Sequence, residues 1–225
     1  MMEYWSVGFS DPLLQHSNTP GVGVMKRYDC LKILSEVVGD ALVVSSAGAM
    51  TLEWNALRPS DGNFRVRTLG LCSSIALGMA LGLPHRKIVA LDGDGSLLMN
   101  LCSLPTIARM HPKNLVHIVF DNEVYEASGS RMTATGCGTD LVGIAAAAGI
   151  RNARWAKSLD EFSQAAAEAL NGRDLHFIGA KVTTERTEVQ PYPVDEVENK
   201  YRFIRHVEMT EKIEILRTNL PASYS

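Results

Sequence analysis

Short apolar runs alternate with helical patterns along most of this chain, and this alternation limits the possible folds more than any other feature. Apolar runs that fit buried strands lie at residues 41–45, 87–91, 115–120 and 175–182. Helical patterns lie at residues 28–38, 50–57, 73–83, 97–110, 139–149, 159–170 and, in the charged tail, near 197–203. Strands that alternate with helices form βαβ units. The sequence therefore predicts a three-layer α/β/α domain with a parallel sheet.

Length and composition fit a single domain of ordinary globular character. The chain has 225 residues, of which 46% are hydrophobic and 21% charged, which is typical of one domain. We expect an N-terminal extension at 1–24, the domain at 25–205 and a C-terminal tail at 206–225. The net charge of −3 argues against a surface for nucleic acid or anionic membranes.

Cysteine spacing and hydropathy predict a cytoplasmic protein. The four cysteines are widely spaced without a CxxC pair, which is typical of reduced thiols and not of a metal cage. No apolar run reaches the length of a membrane span. The first residues lack the basic and then apolar pattern of a signal peptide.

Polar side chains follow two of the predicted strands directly. Residues 92–96 (DGDGS) follow the run at 87–91, and residues 121–125 (DNEVY) follow the run at 115–120. In parallel sheets, ligands bind beyond the carboxyl ends of the strands. Asp94 and Asn122 are 28 positions apart (94 to 122). A right-handed crossover over that distance places two strand ends side by side.

These groups have the chemistry of a magnesium–diphosphate site. A carboxylate, an amide oxygen and a nearby backbone carbonyl are hard oxygen ligands, which suit magnesium better than zinc. The glycines beside Asp94 let the backbone approach a ligand closely. Ser96 and the N–H groups of the next helix then face an anion. A Gly-Asp-Gly turn alone is usually only a tight turn, so the prediction depends on the combination.

The stretch GDGSLLMNLCSLPTIARMHPKNLVHIVFDN resembles the fingerprint of thiamine diphosphate enzymes, in which a GDG turn precedes two asparagines. Asp121 replaces the first asparagine here. The resemblance runs from Met25 to Arg205 and is strongest to the β subunits of sulfopyruvate decarboxylase and the matching half of phosphonopyruvate decarboxylase. The segments that carry it are MKRYDCLKIL, VVSSAGAM, LGLCSSIALGMALGLP, LDGDGSLLMN and DNEVYEASG.

The resemblance implies a set of cofactor contacts. Asp94 and Asn122 would bind magnesium through their side chains, and Val124 through its backbone carbonyl. Gly95 and Ser96 would hold the diphosphate. The full set of implied cofactor-binding residues is Gly48, Arg67, Thr68, Leu69, Gly93, Asp94, Gly95, Ser96, Asn122, Val124 and Tyr125.

Residues 67–70 match the family segment that keeps the cofactor bent. Leu69 would stand between the two rings of thiamine, and the Arg67 carbonyl would accept a hydrogen bond from the 4′-amino group. The bent shape brings that amine to the reactive carbon, where it can remove a proton. Without the resemblance, an ordinary core leucine is the better interpretation of Leu69.

The activating glutamate of this family belongs to a separate pyrimidine-binding domain. At 225 residues we expect only the diphosphate-binding half in this chain. The resemblance therefore predicts a partner (α) subunit that supplies the glutamate, and hence a hetero-oligomer.

The loop at 124–138 departs from the family, which commonly has a Gly-Gly-Gln-Pro run at residues 129–132. We predict Arg131 and Glu126 as catalytic residues in this loop. A guanidinium suits a carboxylate, phosphonate or sulfonate, whereas the alternative is an arginine that only faces solvent.

The predicted function is the β-type subunit of a thiamine diphosphate- and magnesium-dependent decarboxylase of a 2-oxo acid with an acidic tail. The alternatives are a carboligase subunit of the acetolactate synthase kind and a non-catalytic cofactor-binding or scaffold subunit. A 2-oxoacid:ferredoxin oxidoreductase β subunit is disfavoured because the cysteines lack cluster-ligand spacing.

Overall fold

A computed structural model of the chain describes residues 25–190 and 194–216. The α-helices in these ranges are α1 (Arg27–Val37), α2 (Ala49–Leu57), α3 (Cys72–Gly82), α4 (Asp94–Leu98), α5 (Ser103–Met110), α6 (Leu141–Ala147), α7 (Leu159–Asn171) and α8 (Glu196–Glu211). The strands are β1 (Leu42–Ser46), β2 (Asn63–Val66), β3 (Ile88–Gly93), β4 (Leu115–Asp121), β5 (Val124–Tyr125), β6 (Arg131–Met132), β7 (Asn152–Ala156) and β8 (His176–Lys181). None of the helices described here is long and apolar enough to cross a membrane.

Six strands form one parallel sheet in the order β2-β1-β3-β4-β8-β7. Helices α3, α5, α6 and α8 pack on one face, and α1, α2 and α7 pack on the other. The predicted three-layer α/β/α fold is confirmed. The chain order changes direction between β1 and β3, because β2 lies on one side of β1 and β3 on the other. Such a switch point opens a crevice at the carboxyl ends of the strands.

The central strands bury both of their faces. Ile88 and Ala90 pack into the core on the α3 side, and Val89 and Leu91 pack into the core on the α1 side. Side chains alternate across a strand, so a strand covered by helices on both faces needs an unbroken apolar run. This requirement is why the central strands were predictable.

The two edge strands, β2 and β7, lie outside the apolar runs, so the sequence pattern predicts neither of them. Each edge strand pairs with one neighbour only, and its middle residues are half-buried. Polar side chains are therefore tolerated there, and no apolar run forms. Helix α8 covers β2, where the Asn199 side chain accepts from Arg65 N at 2.9 Å and donates to Asn63 O at 2.9 Å. These bonds satisfy backbone groups that an open sheet edge exposes.

The prediction of one helix over residues 97–110 is wrong, because the chain breaks between α4 and α5. Pro105 is the third residue of α5. Proline lacks an N–H group and is tolerated only in the first turn of a helix. A new helix therefore has to begin shortly before Pro105, and Ser103 N bonds to Asn100 O at 3.1 Å where it does.

The C-terminal helix is longer than the predicted helix near residues 197–203. Asp195 caps α8 by accepting from the backbone N–H groups of Val197 and Glu198 at 2.8 and 2.9 Å. The helix continues past residue 205, where we expected the domain to end, to Glu211. The predicted extension at 1–24 and the end of the tail at 217–225 lie outside the described residues, so the domain limits stay predictions.

Candidate functional site

A cleft opens at the switch point of the sheet, where β1, β3 and β4 end. Residues 46–50 after β1, 93–96 after β3 and most of 120–128 after β4 line it, together with Arg27 and Leu69. The cleft contains about 580 Å³ of space that protein atoms do not fill, part of which is open to solvent. Clefts at this position in an open α/β sheet are where small molecules and cofactors usually bind.

Asp94 is the buried carboxylate of the cleft. Asp94 is the first residue of α4 and is 2% exposed. Thr133 donates to its Oδ2 at 2.6 Å, and the Thr135 hydroxyl lies 3.2 Å from the same oxygen. Burial raises the pKa of Asp94 to about 6. The nearby carboxylate of Asp121 also raises this pKa, and the hydrogen bond from Thr133 opposes the rise. A carboxylate with a raised pKa is one that a bound cation would stabilise in its charged form.

Ser96 connects three parts of the cleft wall. Its Oγ accepts from Ser46 Oγ at the end of β1 at 3.0 Å and from Gly70 N at 3.1 Å. Asn100 donates to Gly70 O at 2.7 Å. These bonds fix the segment that carries Leu69 against the start of α4. Because the Ser96 oxygen accepts both bonds, its own hydroxyl proton is left to donate to an anion in the cleft.

Two glycines in the cleft have a structural reason to be glycine. Gly48 has a φ of 117°, a conformation that side chains rarely adopt. At Gly95, a Cβ atom would lie 2.6 Å from Cδ1 of Tyr125, closer than van der Waals contact. The Tyr125 ring therefore packs directly on the turn after β3, and it holds the two polar segments together.

Asn122 sits where β4 ends, and both ends of its amide are held. Its Nδ2 donates to Glu126 Oε1 at 2.5 Å, and its Oδ1 accepts from Val124 N at 3.2 Å. Glu123, between Asn122 and Val124, has a φ of 63°. This left-handed residue turns the chain sharply after the strand, so that Asn122 and Val124 both line the cleft.

Most of the predicted site residues come together in the cleft. Those that line it are Gly48, Leu69, Gly93, Asp94, Gly95, Ser96, Asn122, Val124, Tyr125 and Glu126. Arg67, Thr68 and Arg131 are not among the lining residues. The Arg67 side chain points to solvent and pairs with Glu196 at 2.8 Å. The contact predicted for Arg67 is made by its backbone carbonyl, with the 4′-amino group of the cofactor, and does not involve this side chain. Arg131 is exposed on β6, so its contact with substrate stays a prediction.

Sequence reasoning missed the charged pair Arg27 and Glu53 behind the cleft. Arg27 Nε lies 2.8 Å from Glu53 Oε2, and Arg27 Nη1 lies 2.7 Å from Glu126 Oε1. Burial opposes the charge on Arg27, but the bonds to the two glutamates outweigh it and raise the Arg27 pKa. A signal was present, since Glu53 shares the buried face of α2 with Met50 and Trp54. A charge on such a face needs a buried partner.

The polar groups of the cleft fit a magnesium ion. Asp94 offers a carboxylate and Asn122 an amide oxygen, and Val124, two positions after Asn122, lines the same cleft. Within residues 25–190 and 194–216, no group of three or more His, Cys, Asp or Glu side chains is placed to hold a metal. A set with one carboxylate and neutral oxygens suits magnesium, which keeps several waters and shares phosphate oxygens.

Comparison with known proteins identifies the family. Residues 59–180 match the family described as thiamine pyrophosphate enzyme, C-terminal TPP binding domain. The chain belongs to this family. The β subunit of sulfopyruvate decarboxylase from Methanocaldococcus jannaschii is 36% identical over 184 residues, which are 81% of this chain and 97% of that subunit.

Other relatives are longer than this chain. Phosphonopyruvate decarboxylase from Streptomyces hygroscopicus is 37% identical over 191 residues, which are 81% of this chain and 47% of that enzyme. Benzoylformate decarboxylase from Polynucleobacter necessarius has a TM-score of 0.60 at 22% identity over 72% of this chain and 34% of that enzyme. The structural likeness supports the fold alone. The chain thus spans nearly all of the β subunit but only half or less of the longer relatives.

Proposed function

We propose that this chain is the β-type subunit of a thiamine diphosphate- and magnesium-dependent decarboxylase that acts on a 2-oxo acid with an acidic tail, such as sulfopyruvate or phosphonopyruvate. The observation that carries the proposal is the arrangement of Asp94, Ser96 and Asn122 in one cleft. The chain also matches a sulfopyruvate decarboxylase β subunit over 97% of the length of that subunit. Relatives that are 33–41% identical to this chain are named sulfopyruvate or phosphonopyruvate decarboxylases.

Asp94 and Asn122, with the Val124 carbonyl, would hold magnesium, and Ser96 with the Gly95 backbone would bind the diphosphate. Leu69 lines the cleft beside them and would support the bent cofactor. Thiamine diphosphate supplies a carbon nucleophile and an electron sink for the loss of carbon dioxide from a 2-oxo acid. The chain contributes orientation of the cofactor and an apolar wall that excludes water from the reacting carbon.

A partner subunit would supply the glutamate that contacts the aminopyrimidine. Glu126, which lines the cleft, and Glu53, which is buried behind it, are both paired with Arg27, at 2.7 and 2.8 Å. A carboxylate held by a guanidinium is a poor partner for a neutral ring nitrogen, because its charge is already offset. The relatives of matching length are named β subunits, which fits an assembly of two kinds of chain.

The test is to express the chain with candidate partner chains from its host and to measure carbon dioxide release. We expect no turnover by the chain alone and turnover of sulfopyruvate or phosphonopyruvate by the complex. Rapid decarboxylation by the pure chain would contradict the need for a partner. Formation of a carbon–carbon bond with an added 2-oxo acid or aldehyde would favour the carboligase alternative, for which a probable acetolactate synthase large subunit from Methanococcus aeolicus is a weaker match at 28% identity.

Arg131 remains the candidate for binding the acidic tail. Its side chain is exposed on β6, within the loop that follows β4. No ion pair of Arg131 is present among the described residues. Loss of a charge-assisted bond costs about 1.5–3 kcal/mol. Arg131→Ala should therefore lower kcat/KM for the acidic substrate by about 10- to 100-fold and leave pyruvate nearly unaffected. Arg151→Ala, at an exposed turn between α6 and β7, is the matched control, and equal losses for both substrates would assign Arg131 to loop support.

A further inference from the structure

A chain of charged side chains leads from the buried side of the sheet to the turn after β4. Glu53 is 1% exposed and Arg27 6% exposed at the side chain. Arg27 makes a bidentate ion pair with Glu53, in which Nε donates to Oε2 at 2.8 Å and Nη2 donates to Oε1 at 3.1 Å. Its remaining nitrogen, Nη1, donates to Glu126 Oε1 at 2.7 Å. The planar guanidinium therefore fixes Glu126 relative to α2.

Both carboxylate oxygens of Glu126 are in use. Oε1 accepts from Arg27 and from Asn122 Nδ2, at 2.7 and 2.5 Å. Oε2 lies 3.1 Å from Nε of Arg186, a residue that follows β8, and the Glu126 backbone carbonyl accepts from Arg186 Nη2 at 3.2 Å. A carboxylate bonded to two guanidinium groups has little freedom to move. Glu126 is therefore well placed to hold the Asn122 amide in one orientation.

The bond from Asn122 to Glu126 decides which end of the amide faces the ligand. A carboxylate accepts hydrogen bonds and donates none when ionised, so only the NH₂ end of Asn122 can point to Glu126. The other end is fixed independently, because Oδ1 accepts from the Val124 N–H at 3.2 Å. With its NH₂ turned to Glu126, Asn122 presents an oxygen, and not a nitrogen, on the side of Val124.

We infer that Glu126 is a positioning residue for Asn122, which it holds so that the amide oxygen faces the magnesium ion. Arg27 and Arg186 in turn hold Glu126. The inference rests on the proposed function only in taking Asn122 as a magnesium ligand. Residues outside the ligand shell that orient ligands in this way typically affect metal affinity about 10- to 100-fold.

Charge alone does not account for this arrangement. Two arginines and two glutamates (Arg27, Arg186, Glu53 and Glu126) give the cluster no net charge, so a substitution that neutralises Glu126 leaves a net positive charge, and this effect has to be separated from the loss of the hydrogen bond to Asn122. Glu123 offers the contrast, because it lies next to Asn122 in the chain but pairs with Lys181 at 2.7 Å and is 49% exposed. Substitutions at Glu123 and Glu126 remove the same charge from the same turn, and only those at Glu126 touch the Asn122 amide.

The experiment is a calorimetric titration of Mg²⁺ into the full chain as purified with its partner, in the presence of thiamine diphosphate and without substrate. Three variants are compared with the unsubstituted protein. Glu126→Ala removes the acceptor and should weaken magnesium binding by about 10- to 100-fold. Glu126→Gln removes the charge but keeps an oxygen for Asn122, and it should stay within about threefold of the original affinity. Glu123→Ala should also stay within about threefold.

Equal affinity of Glu126→Ala and the unsubstituted protein would overturn the inference. An equal loss in Glu126→Ala and Glu123→Ala, or in Glu126→Ala and Glu126→Gln, would also overturn it, because the effect would then be one of charge. Absence of magnesium binding by the unsubstituted protein would overturn the inference and the metal assignment together. Because no substrate is present, a failure of the decarboxylase proposal appears separately, as a complex that binds magnesium and cofactor but releases no carbon dioxide.

Discussion

The cleft is built from two segments of opposite character, the turn after β3 and the loop after β4. The turn at residues 93–96 is almost fully buried and is held by neutral contacts from Ser46, Gly70 and Thr133. The loop at 122–138 is half-exposed and crosses the left-handed region at Glu123, Gly129, Ser130 and Gly138. Ion pairs to Arg27, Lys181 and Arg186 hold it.

The difference indicates a division of labour within the cleft. Short hydrogen bonds within a buried turn leave it one conformation, which suits the binding of diphosphate and metal proposed for it. Apart from the buried pair of Arg27 with Glu126, the ion pairs of the loop use the exposed side chains of Lys181 and Arg186. Exposed ion pairs are weak and depend on salt, so the outer part of the loop tolerates changes of sequence. This contrast fits a turn after β3 that keeps the family motif and a loop that departs from the family's Gly-Gly-Gln-Pro run at residues 129–132, where Arg131 lies.

The most damaging change to the β3 turn should be Asp94→Ala. Asp94 is the one carboxylate predicted to bind the metal, and its loss should abolish measurable binding of magnesium with thiamine diphosphate, a drop of more than about 100-fold. Calorimetry measures the binding, and circular dichroism checks the fold. Asp160→Ala, an exposed residue in the first turn of α7, is the matched control. Unchanged binding in Asp94→Ala would refute the metal assignment.

The same residue should give the metal-free protein a dependence of stability on pH. The folded-state pKa of Asp94 is raised to about 6 from an ordinary 3.8, so the folded state holds this proton over a range in which the unfolded state has released it. The free energy of unfolding should therefore fall as pH rises from about 4 to about 6, by no more than about 3 kcal/mol, and stay level above that.

Asp94→Asn removes this titration and should be more stable than the original protein at pH 7 but not at pH 4, as measured by urea unfolding without metal. Magnesium should reverse the order, because it binds the deprotonated carboxylate and its affinity should fall about tenfold per pH unit below pH 6. Parallel stability curves for the two proteins would show that Asp94 has an ordinary pKa.

A structural feature can be predicted from the sequence when the residues that cause it are close together in the chain. The central strands and the turn at 93–96 were predictable, because burial on both faces and a ligand turn each leave a mark within a few neighbouring residues. The edge strands β2 and β7 were not, since one-sided pairing imposes no apolar run. The break between α4 and α5 also has a local signal, Pro105, although the apolar pattern alone predicts one continuous helix.

The missed parts of the site involve residues that are distant in sequence. Arg27 meets Glu53 across 26 positions and Glu126 across 99, and a sequence alone does not say which buried charges pair. Thr133 reaches Asp94 from the far end of the loop, 39 positions away. Such contacts depend on how the loop folds back over the β3 turn, which its polar and small residues leave open.

A third prediction concerns the contact that joins the two segments, where Tyr125 packs on Gly95. A Cβ at Gly95 would lie 2.6 and 2.8 Å from Tyr125 Cδ1 and Cε1, so the ring must move. Gly95→Ala should lower the free energy of unfolding by about 1–3 kcal/mol, as overpacking does. Adding Tyr125→Ala should recover part of the loss in a double-mutant cycle.

Gly93→Ala is the matched control for this steric effect. Gly93 belongs to the same motif, but a Cβ there would meet no atom within 4 Å, and its φ of −107° is open to any residue. Its unfolding free energy should change by less than about 0.5 kcal/mol. Similar losses at both glycines would mean that the turn needs backbone freedom and that packing of the β4 loop against it is unimportant.

The smallest expected effect tests the strain in the β4 loop. Glu123 has a φ of 63°, which costs a residue with a side chain about 1 kcal/mol relative to glycine. Its ion pair with Lys181 joins side chains that are 49% and 41% exposed, and such a pair contributes about 0–1 kcal/mol. Glu123→Gln loses the pair and keeps the strain, whereas Glu123→Gly loses the pair and relieves the strain.

Glu123→Gly should therefore be more stable than Glu123→Gln by up to about 1 kcal/mol, less the greater freedom that glycine gives the unfolded chain. Urea unfolding of both variants at low and high salt measures the two contributions separately. At high salt the original protein and Glu123→Gln should converge, because screening removes the ion pair, while the advantage of glycine over glutamine should persist, because backbone strain is independent of salt. If glycine is the less stable of the two at every salt concentration, the left-handed turn carries no strain, and the loop is then held in place by its side-chain contacts alone.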